Sequence, residues 1–176
     1  PTASGKTALA VDLANQLGGE IVSADSRQIY QGMDIGTGKD LEEYGSVPYH
    51  LIDNHGIGDV YSVAHFQKEA IDAIQDISRR GKFPIVCGGT GLYLESLIQQ
   101  FEFSRVPDFL NKPLNYQIDF QIFGLNPTLD IRRDRISKRL KQRLEAGLVE
   151  EVKGLLDRGV SKEDLAWMGL EYKWTL

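Results

Sequence analysis

The sequence predicts an α/β protein whose parallel sheet is flanked by helices and carries a phosphate-binding loop at one edge. Three observations support this prediction. A glycine-lysine-threonine loop runs directly into a helical segment, apolar strand-like segments alternate with helical ones, and two of the strands end in polar or glycine-rich turns. The 176 residues, 41% hydrophobic and 26% charged, have the composition of a soluble globular protein. We divide the chain into a core (1–106), a junction (107–116) and a last core strand with basic helices (117–176).

The loop at the start of the chain matches the pattern G-x-x-x-x-G-K-[ST] from its second position onward. Backbone N–H groups in such a loop surround phosphate oxygens, the lysine reaches the outer phosphates, and the threonine hydroxyl can bind Mg²⁺. A capped helix start is the alternative interpretation. The candidate residues for binding a diphosphate or nucleotide are Pro1, Thr2, Ala3, Ser4, Gly5, Lys6 and Thr7, with Thr7 also the candidate metal ligand.

The segments after the loop alternate between helix and strand. Apolar runs predict strands at residues 20–25, 47–53, 83–87 and 117–125. Helical periodicity predicts helices at 8–17, at 63–79 behind a Ser62 cap, at 94–98, from 128 onward and at 148–156. The first helix should have a face of Leu9, Leu13 and Leu17, and the fourth a core face of Ile136, Leu140 and Leu144. This order predicts a P-loop NTPase-like sheet.

Polar side chains follow two of the predicted strands. Asp25 comes at the carboxyl end of the first, and the turn 88–93, with Thr90, follows another. In open α/β sheets this edge is where ligands bind, so we expect both beside the phosphate-binding loop. Asp25 could assist Mg²⁺ binding or accept a proton, or it could cap a helix in a capping box with Gln28. The glycine-rich segment 32–39 predicts a loop near the same edge.

Charge and cysteine usage restrict the possible functions. The net charge of −5 argues against bulk nucleic-acid binding, although seven basic residues lie between Arg132 and Arg143 against one acid. This basic stripe could attract anions or form a solvated helix face. The single cysteine, Cys87, excludes an internal disulfide and is predicted to be a buried core residue. No run of the sequence approaches membrane-spanning length.

A series of motifs in this order resembles the tRNA dimethylallyltransferase (tRNA isopentenyltransferase) family. The motifs are PTASGKT (1–7), ADSRQIYxGMDIGTGK (24–39), PYHLID (48–53), YSVAHF (61–66), GGTGLY (88–93) and RISKRL (135–140). The series covers most of the chain, and the combination is far more specific than any one motif. The resemblance implies transfer of the dimethylallyl group from dimethylallyl diphosphate to N6 of the adenosine at tRNA position 37, with Mg²⁺ as cofactor and diphosphate released.

The resemblance also implies roles for single residues. Asp25 matches the family's general base, and Thr90 matches a threonine near the diphosphate and the reacting nucleotide. Arg139 is our choice for the cation on the diphosphate, with Arg135 as the fallback. The resemblance places Asp25, Ser26, Arg27, Gln28 and Thr90 at the tRNA.

The chain departs from the family pattern at three places. The family's first strand and the first glycine of the phosphate-binding loop are absent from it. Around residues 108–112 it skips a long helical insertion near the family's tRNA-binding region, and it ends soon after GLEYK (169–173), where family members continue. Three other functions stay open: an adenylate isopentenyltransferase that uses free AMP, ADP or ATP, a small-molecule P-loop kinase, and a non-catalytic nucleotide-binding module. We expect a cytoplasmic monomer with tRNA and dimethylallyl diphosphate as partners and no membrane association.

Overall fold

The computed structural model describes residues 2–104, 106–110 and 118–176. Predictions for Pro1 and for most of the junction 107–116 therefore lie outside the described residues. The helices and strands are α1 (Lys6–Leu17), β1 (Gly19–Ala24), β2 (Tyr49–His50), α2 (Val63–Arg79), β3 (Phe83–Gly88), α3 (Gly91–Gln99), α4 (Leu129–Glu145), α5 (Leu148–Asp157), α6 (Lys162–Met168) and α7 (Leu170–Thr175). Within the described ranges, no helix is both long and apolar enough to cross a membrane.

The three strands form the predicted parallel sheet, in the order β2-β1-β3. Ile21 in the central strand lies opposite Tyr49 on one side and Ile85 on the other. Every residue of β1 is buried, and alternate side chains enter two core clusters. Ile21 packs with α1 and Val22 with α2, so helices cover both faces of the sheet. The residues that follow Ala24 are therefore held at the carboxyl edge of the sheet.

Helix α2 begins at the predicted cap, Ser62, whose hydroxyl accepts a hydrogen bond from the His65 backbone N–H. His65 completes the capping box because its Nδ1 accepts a hydrogen bond from the Ser62 backbone N–H at 3.3 Å. One turn in, the Phe66 ring stacks on Tyr93 with centroids 4.1 Å apart. This contact fixes α2 against α3 and thereby positions the glycine turn before α3.

The predicted apolar face of α1 is wrong. Ala10 and Ala14 are buried, whereas Leu9 and Leu17 are 38% and 52% exposed. α1 packs against β1 and β3, and the small alanine side chains allow the helix to approach the sheet closely. The prediction failed because it ranked the leucines by hydrophobicity and ignored their size.

The predicted core face of α4 is also wrong. Ile136, Leu140 and Leu144 are each 44–48% exposed, and the buried residue of this helix is Arg143. α4 contacts the rest of the described chain through its arginine face instead. Local periodicity predicted the helix correctly but could not show which face would be covered.

The predicted strand at 117–125 is wrong over its described part, because residues 118–128 form no regular secondary structure. Ile118 and Phe120 pack against the core, but Ile122 and Phe123 are about 70% exposed. Alternating hydrophobicity makes a strand only where a neighbouring strand offers backbone partners. Within residues 2–104, 106–110 and 118–176, none pairs with this segment.

Two strand predictions need smaller corrections. The strand predicted at 47–53 is only Tyr49–His50, because Leu51 and Asp53 adopt left-handed backbone conformations with φ of 62° and 58°. Cys87 is half-buried rather than buried, since β3 lies at the edge of the described sheet.

A buried ion pair at the start of β1 gives a prediction about acid stability. Glu20 accepts a hydrogen bond from Arg80 Nη2 at 2.8 Å and contacts His50 Nε2 at 2.8 Å. Hydrogen bonding to Arg80 lowers the pKa of Glu20 from 4.5 to about 2, against the opposing effect of burial. Because the folded-state pKa is lowered, this contribution to stability is complete above about pH 4.5 and is lost as the pH falls toward 2.

We expect Glu20→Gln to lower the free energy of unfolding by about 2 kcal/mol at pH 7, and the difference from wild type to shrink by pH 2.5. Urea unfolding at pH 7, 4 and 2.5 measures it. The exposed Glu145, changed to glutamine, is the control. A difference of the same size at every pH would contradict the assignment.

Candidate active site

The phosphate-binding loop has the backbone shape that an anion site needs. Ala3 and Gly5 both adopt left-handed conformations, with φ of 54° and 88°, and Gly5 is the N-cap of α1. Ser4 is buried, and Lys6 Nζ lies 3.5 Å from its hydroxyl oxygen. The first N–H groups of a 12-residue helix thus open next to a lysine ammonium, which is a favourable place for phosphate.

A cleft of about 1100 Å³ extends from this loop. It is lined by the phosphate-binding loop, the carboxyl ends of β1 and β3, the glycine-rich loop with the segment 40–44 after it, and one face of α4. Its charged lining residues are Lys6, Asp25, Asp34, Lys39, Asp40, Glu42, Glu43, Arg135, Lys138, Arg139 and Arg143. Thr2, Ala3, Ser4, Gly5, Thr7 and Gln28 also line it. The predicted base, the predicted cation and the described part of the loop therefore share one space.

Asp25 lies directly after β1, at the cleft. Its Oδ1 accepts a hydrogen bond from the Arg27 backbone N–H at 3.0 Å, which shapes a turn. The capping alternative is wrong, because no helix follows in residues 26–30. Burial raises the pKa of the Cys87 thiol; Lys6 opposes this effect, and Asp25 adds to it. The Lys6 ammonium and the Asp25 carboxylate thus act on the same thiol, at the carboxyl end of β3.

Thr90 braces the Asp25 turn from the neighbouring strand. Its Oγ1 accepts a hydrogen bond from the Ser26 backbone N–H at 3.0 Å and donates one to Ser26 Oγ at 3.2 Å. Gln28 donates from Nε2 to the Gly38 carbonyl at 2.9 Å. Of the four residues 25–28, Asp25 and Gln28 line the cleft, while Ser26 is held by Thr90. Arg27 does not line the cleft, and its Nη1 lies 4.0 Å from Glu171 Oε2.

The arginines of α4 reach the cleft at different points. Arg135 Nη1 donates to the Ala3 carbonyl at 3.3 Å, so this guanidinium contacts the phosphate-binding loop. Arg139 lies one turn further on. Burial and then Asp40 raise the pKa of Glu43, and Arg139 opposes them, so the Arg139 guanidinium and the Glu43 carboxylate attract each other in the cleft. Arg135, the fallback at the sequence level, is the arginine in direct contact with the loop.

The residue that holds the glycine-rich loop could not be identified from the sequence. Glu151 on α5 accepts hydrogen bonds from three successive backbone N–H groups, those of residues 34, 35 and 36, at 2.8, 2.7 and 3.0 Å. The buried Tyr172 hydroxyl donates to the same carboxylate at 2.7 Å. A Cβ on Gly36 would lie 2.4 Å from the Tyr172 ring, so a residue with a side chain does not fit at this position. The only available signal was the density of glycines in residues 32–38.

Lys39 is a second residue that sequence reasoning missed. It is 2% exposed, and Nζ donates to Asp34 Oδ1 at 2.6 Å, to the Tyr30 carbonyl at 2.7 Å and to the Asp53 carboxylate. A buried ammonium is stable only with such partners. Lys39, at the end of the glycine-rich loop, therefore ties this loop to Tyr30 before it and to Asp53 after β2.

Comparisons with known proteins match most of the chain. The family model described as IPP transferase matches residues 28–115 and 106–176. A tRNA dimethylallyltransferase 1 from Azobacteroides pseudotrichonymphae is 40% identical over 230 residues, covering 99% of this chain and 75% of the relative. A tRNA dimethylallyltransferase 2 from Trichlorobacter lovleyi is 41% identical over 226 residues, covering 99% of this chain and 74% of that one.

These alignments also locate what the chain lacks. An alignment over 230 residues that takes in 99% of 176 residues leaves about 55 positions that the relative has and this chain does not. The two stretches of this chain that match the family model overlap at residues 106–115.

Solved structures match the fold as well. A tRNA isopentenylpyrophosphate transferase from Bacillus halodurans superposes with a TM-score of 0.80 at 33% identity, covering 99% of this chain and 73% of that one. A tRNA delta(2)-isopentenylpyrophosphate transferase from Staphylococcus epidermidis gives 0.81 at 30% identity, with 99% and 76% covered. The chain belongs to the IPP transferase family.

Proposed function

We propose that this protein transfers the dimethylallyl group of dimethylallyl diphosphate to N6 of adenosine 37 in tRNA and releases diphosphate. The observation that carries the proposal is the shared cleft, in which an anion-binding loop, Asp25 and the α4 arginines surround one space. The similar proteins that are named for this reaction support it.

In the proposed reaction, the loop amides and Lys6 bind the diphosphate, and Arg135 and Arg139 supply further positive charge as the leaving group departs. The N6 nitrogen attacks C1 of the allyl group, so an N–C bond forms while the C–O bond to diphosphate breaks. Asp25 accepts the proton that the N6 amine gives up. In this proposal the target base leaves its stack and enters beside Gln28 and the turn that Thr90 holds, which supports the base from one side.

Mg²⁺ fits this cleft as an ion shared with the substrate. Among the described residues, no three histidine, cysteine or carboxylate side chains form a metal cluster. Mg²⁺ typically keeps several waters and binds through one or two protein groups plus substrate phosphates. Thr7, half-buried in the first turn of α1 and lining the cleft, would be the protein ligand, with Asp25 the nearby carboxylate. The bound ion would neutralise charge on the diphosphate.

The test is to incubate the protein with dimethylallyl diphosphate, Mg²⁺ and an anticodon stem-loop that carries adenosine at position 37, and then to weigh the RNA. We expect a mass gain of one C₅H₈ unit that disappears when EDTA is added. Parallel reactions offer AMP, ADP or ATP as acceptor, and ATP as a phosphate donor. Transfer to free nucleotides alone, or phosphorylation instead of prenylation, would contradict the proposal.

The two α4 arginines should differ in their effect on the donor. Because Arg135 contacts the phosphate-binding loop, we expect Arg135→Ala to lower kcat/KM for dimethylallyl diphosphate by tenfold or more. Arg139→Ala should also weaken use of the donor, but by less, since Arg139 lies one turn further along α4 from the contact that Arg135 makes with the loop. Steady-state kinetics at saturating RNA measure both, with the exposed Arg133→Ala as control. A larger loss for Arg139→Ala would make Arg139 the main diphosphate ligand.

A further inference from the structure

Arg143 has a buried guanidinium whose hydrogen-bonding capacity is only partly used. The side chain is 5% exposed and lines the cleft. Its Nη1 donates to the Gly36 carbonyl at 3.1 Å and to Glu171 Oε1 at 2.9 Å. Within the described chain, Nε and Nη2 have no hydrogen-bond partner. Buried donors of a charged group are costly when unpaired, so this edge of the guanidinium indicates a missing acceptor.

The unpaired edge has the geometry that binds phosphate. Nε and Nη2 form one side of the planar fork that takes two oxygens of a phosphate together. Burial, and then the neighbouring Arg139, lower the pKa of Arg143, so an added anion would stabilise the charged form. Glu171 is the carboxylate that contacts the guanidinium, and it lies on the Nη1 side, away from the unpaired edge.

The position along α4 separates this edge from the diphosphate site. Arg135 contacts the Ala3 carbonyl in the phosphate-binding loop. Arg143 is eight residues later on the same helix, which is about 12 Å along its axis. A diphosphate bound on the loop amides and Lys6 is too short to reach that far. This spacing favours an anion from another part of the reacting assembly at Arg143.

The unpaired edge packs directly against the Gly38 backbone, where only a glycine fits. A Cβ at this position would lie 1.7 Å from Arg143 Nη2, and its backbone has φ of 63°. Gln28, which lines the cleft, donates to the Gly38 carbonyl at 2.9 Å. Arg143 is thus next to the end of the cleft where the acceptor base is proposed to enter. A phosphate reaches its Nε–Nη2 edge after the guanidinium shifts away from Gly38 and toward the cleft.

We propose that Arg143 binds a backbone phosphate of the acceptor RNA beside the target nucleotide. This inference rests on the proposed function, because it takes RNA as the acceptor. Both the RNA backbone and dimethylallyl diphosphate carry phosphate groups, and the inference assigns the phosphate at Arg143 to the RNA.

The test measures RNA binding directly, without turnover. The full chain and its Arg143→Met variant are titrated into a fluorescent anticodon stem-loop at several salt concentrations. We expect Arg143→Met to weaken binding about tenfold at 0.15 M salt and to reduce the slope of log K against log salt by about one. The KM for dimethylallyl diphosphate should change less than twofold. Lys141→Met, an exposed lysine on the same helix that does not line the cleft, is the matched control.

Arg143→Lys provides a second variant, which keeps the charge but not the fork, and it should show an intermediate loss. If Arg143→Met does not fold by circular dichroism, wild-type affinity in a folded Arg143→Lys overturns the inference. Unchanged RNA affinity and salt slope in Arg143→Met overturn it too, as does a loss confined to the donor KM. A wild-type protein that binds RNA through Arg143 but transfers no allyl group would contradict the proposed function alone. A wild-type protein that does not bind the RNA at all overturns the inference.

Discussion

Replacing Asp25 with alanine is expected to lower turnover of the allyl transfer by two or more orders of magnitude. Asp25 is the carboxylate at the carboxyl end of β1, in the same cleft as the phosphate-binding loop. Loss of a positioned general base typically costs 10²–10⁴-fold in rate. Because the loop and Lys6 remain intact, binding of dimethylallyl diphosphate should change little. Single-turnover rates with the stem-loop, together with donor binding by calorimetry, measure the two effects separately.

Two further variants make the Asp25 result specific. Asp25→Asn keeps the shape and can still accept the hydrogen bond from the Arg27 N–H, so it should fold like wild type and remain as inactive as the alanine variant. Asp12→Asn, on an exposed position of α1, should have normal activity. Near-normal turnover in either Asp25 variant would remove this residue from the mechanism.

Glu151→Gln should have the largest effect on stability. The Glu151 carboxylate accepts three backbone N–H bonds and the Tyr172 hydroxyl, and a glutamine amide would turn an N–H₂ group toward those donors. Leaving buried donors unpaired costs about 1–3 kcal/mol for each group, with partial relaxation. We therefore expect a loss of about 3 kcal/mol in the free energy of unfolding. Urea denaturation monitored by tryptophan fluorescence measures it.

The same substitution should affect activity, because the segment that Glu151 holds lines the cleft. Glu150→Gln is the control: the neighbouring acid on α5 is exposed and should change stability by less than about 0.5 kcal/mol. If Glu151→Gln proved as stable as the control, Glu151 would not be what holds the glycine-rich loop.

The parts of the fold that the sequence predicted correctly depend on local rules. Ser62 at a helix start, Gly18 at a helix end and the apolar run of β1 each determine structure within a few residues. Asp25 was predicted at the site for a similar reason, since a polar residue after a buried parallel strand must lie at the carboxyl edge. Parallel pairing of β1 with β3 followed from the intervening helix.

The features that the sequence did not reveal depend on contacts between distant segments. Arg143 and Arg139 look alike in a basic stripe, yet Arg143 is buried against Gly36 and Arg139 is half-exposed in the cleft. Glu151 lies more than a hundred residues from the loop that it caps. Residues 118–125 alternate like a strand but find no partner in the described sheet. In each case the deciding factor was which surface another segment covers, and no local pattern contains that information.

The burial of Lys39 makes its amine an internal reporter. Because Nζ is enclosed by Asp34, Asp53 and the Tyr30 carbonyl, an amine-acylating reagent applied to the native protein should modify the surface lysines and leave Lys39 unmodified. The rate at which this one lysine is acylated would then report how often the surrounding segment unfolds locally and exposes Nζ. Mass spectrometry of peptides after timed labelling would follow that opening, with and without substrates, at a single site in the chain.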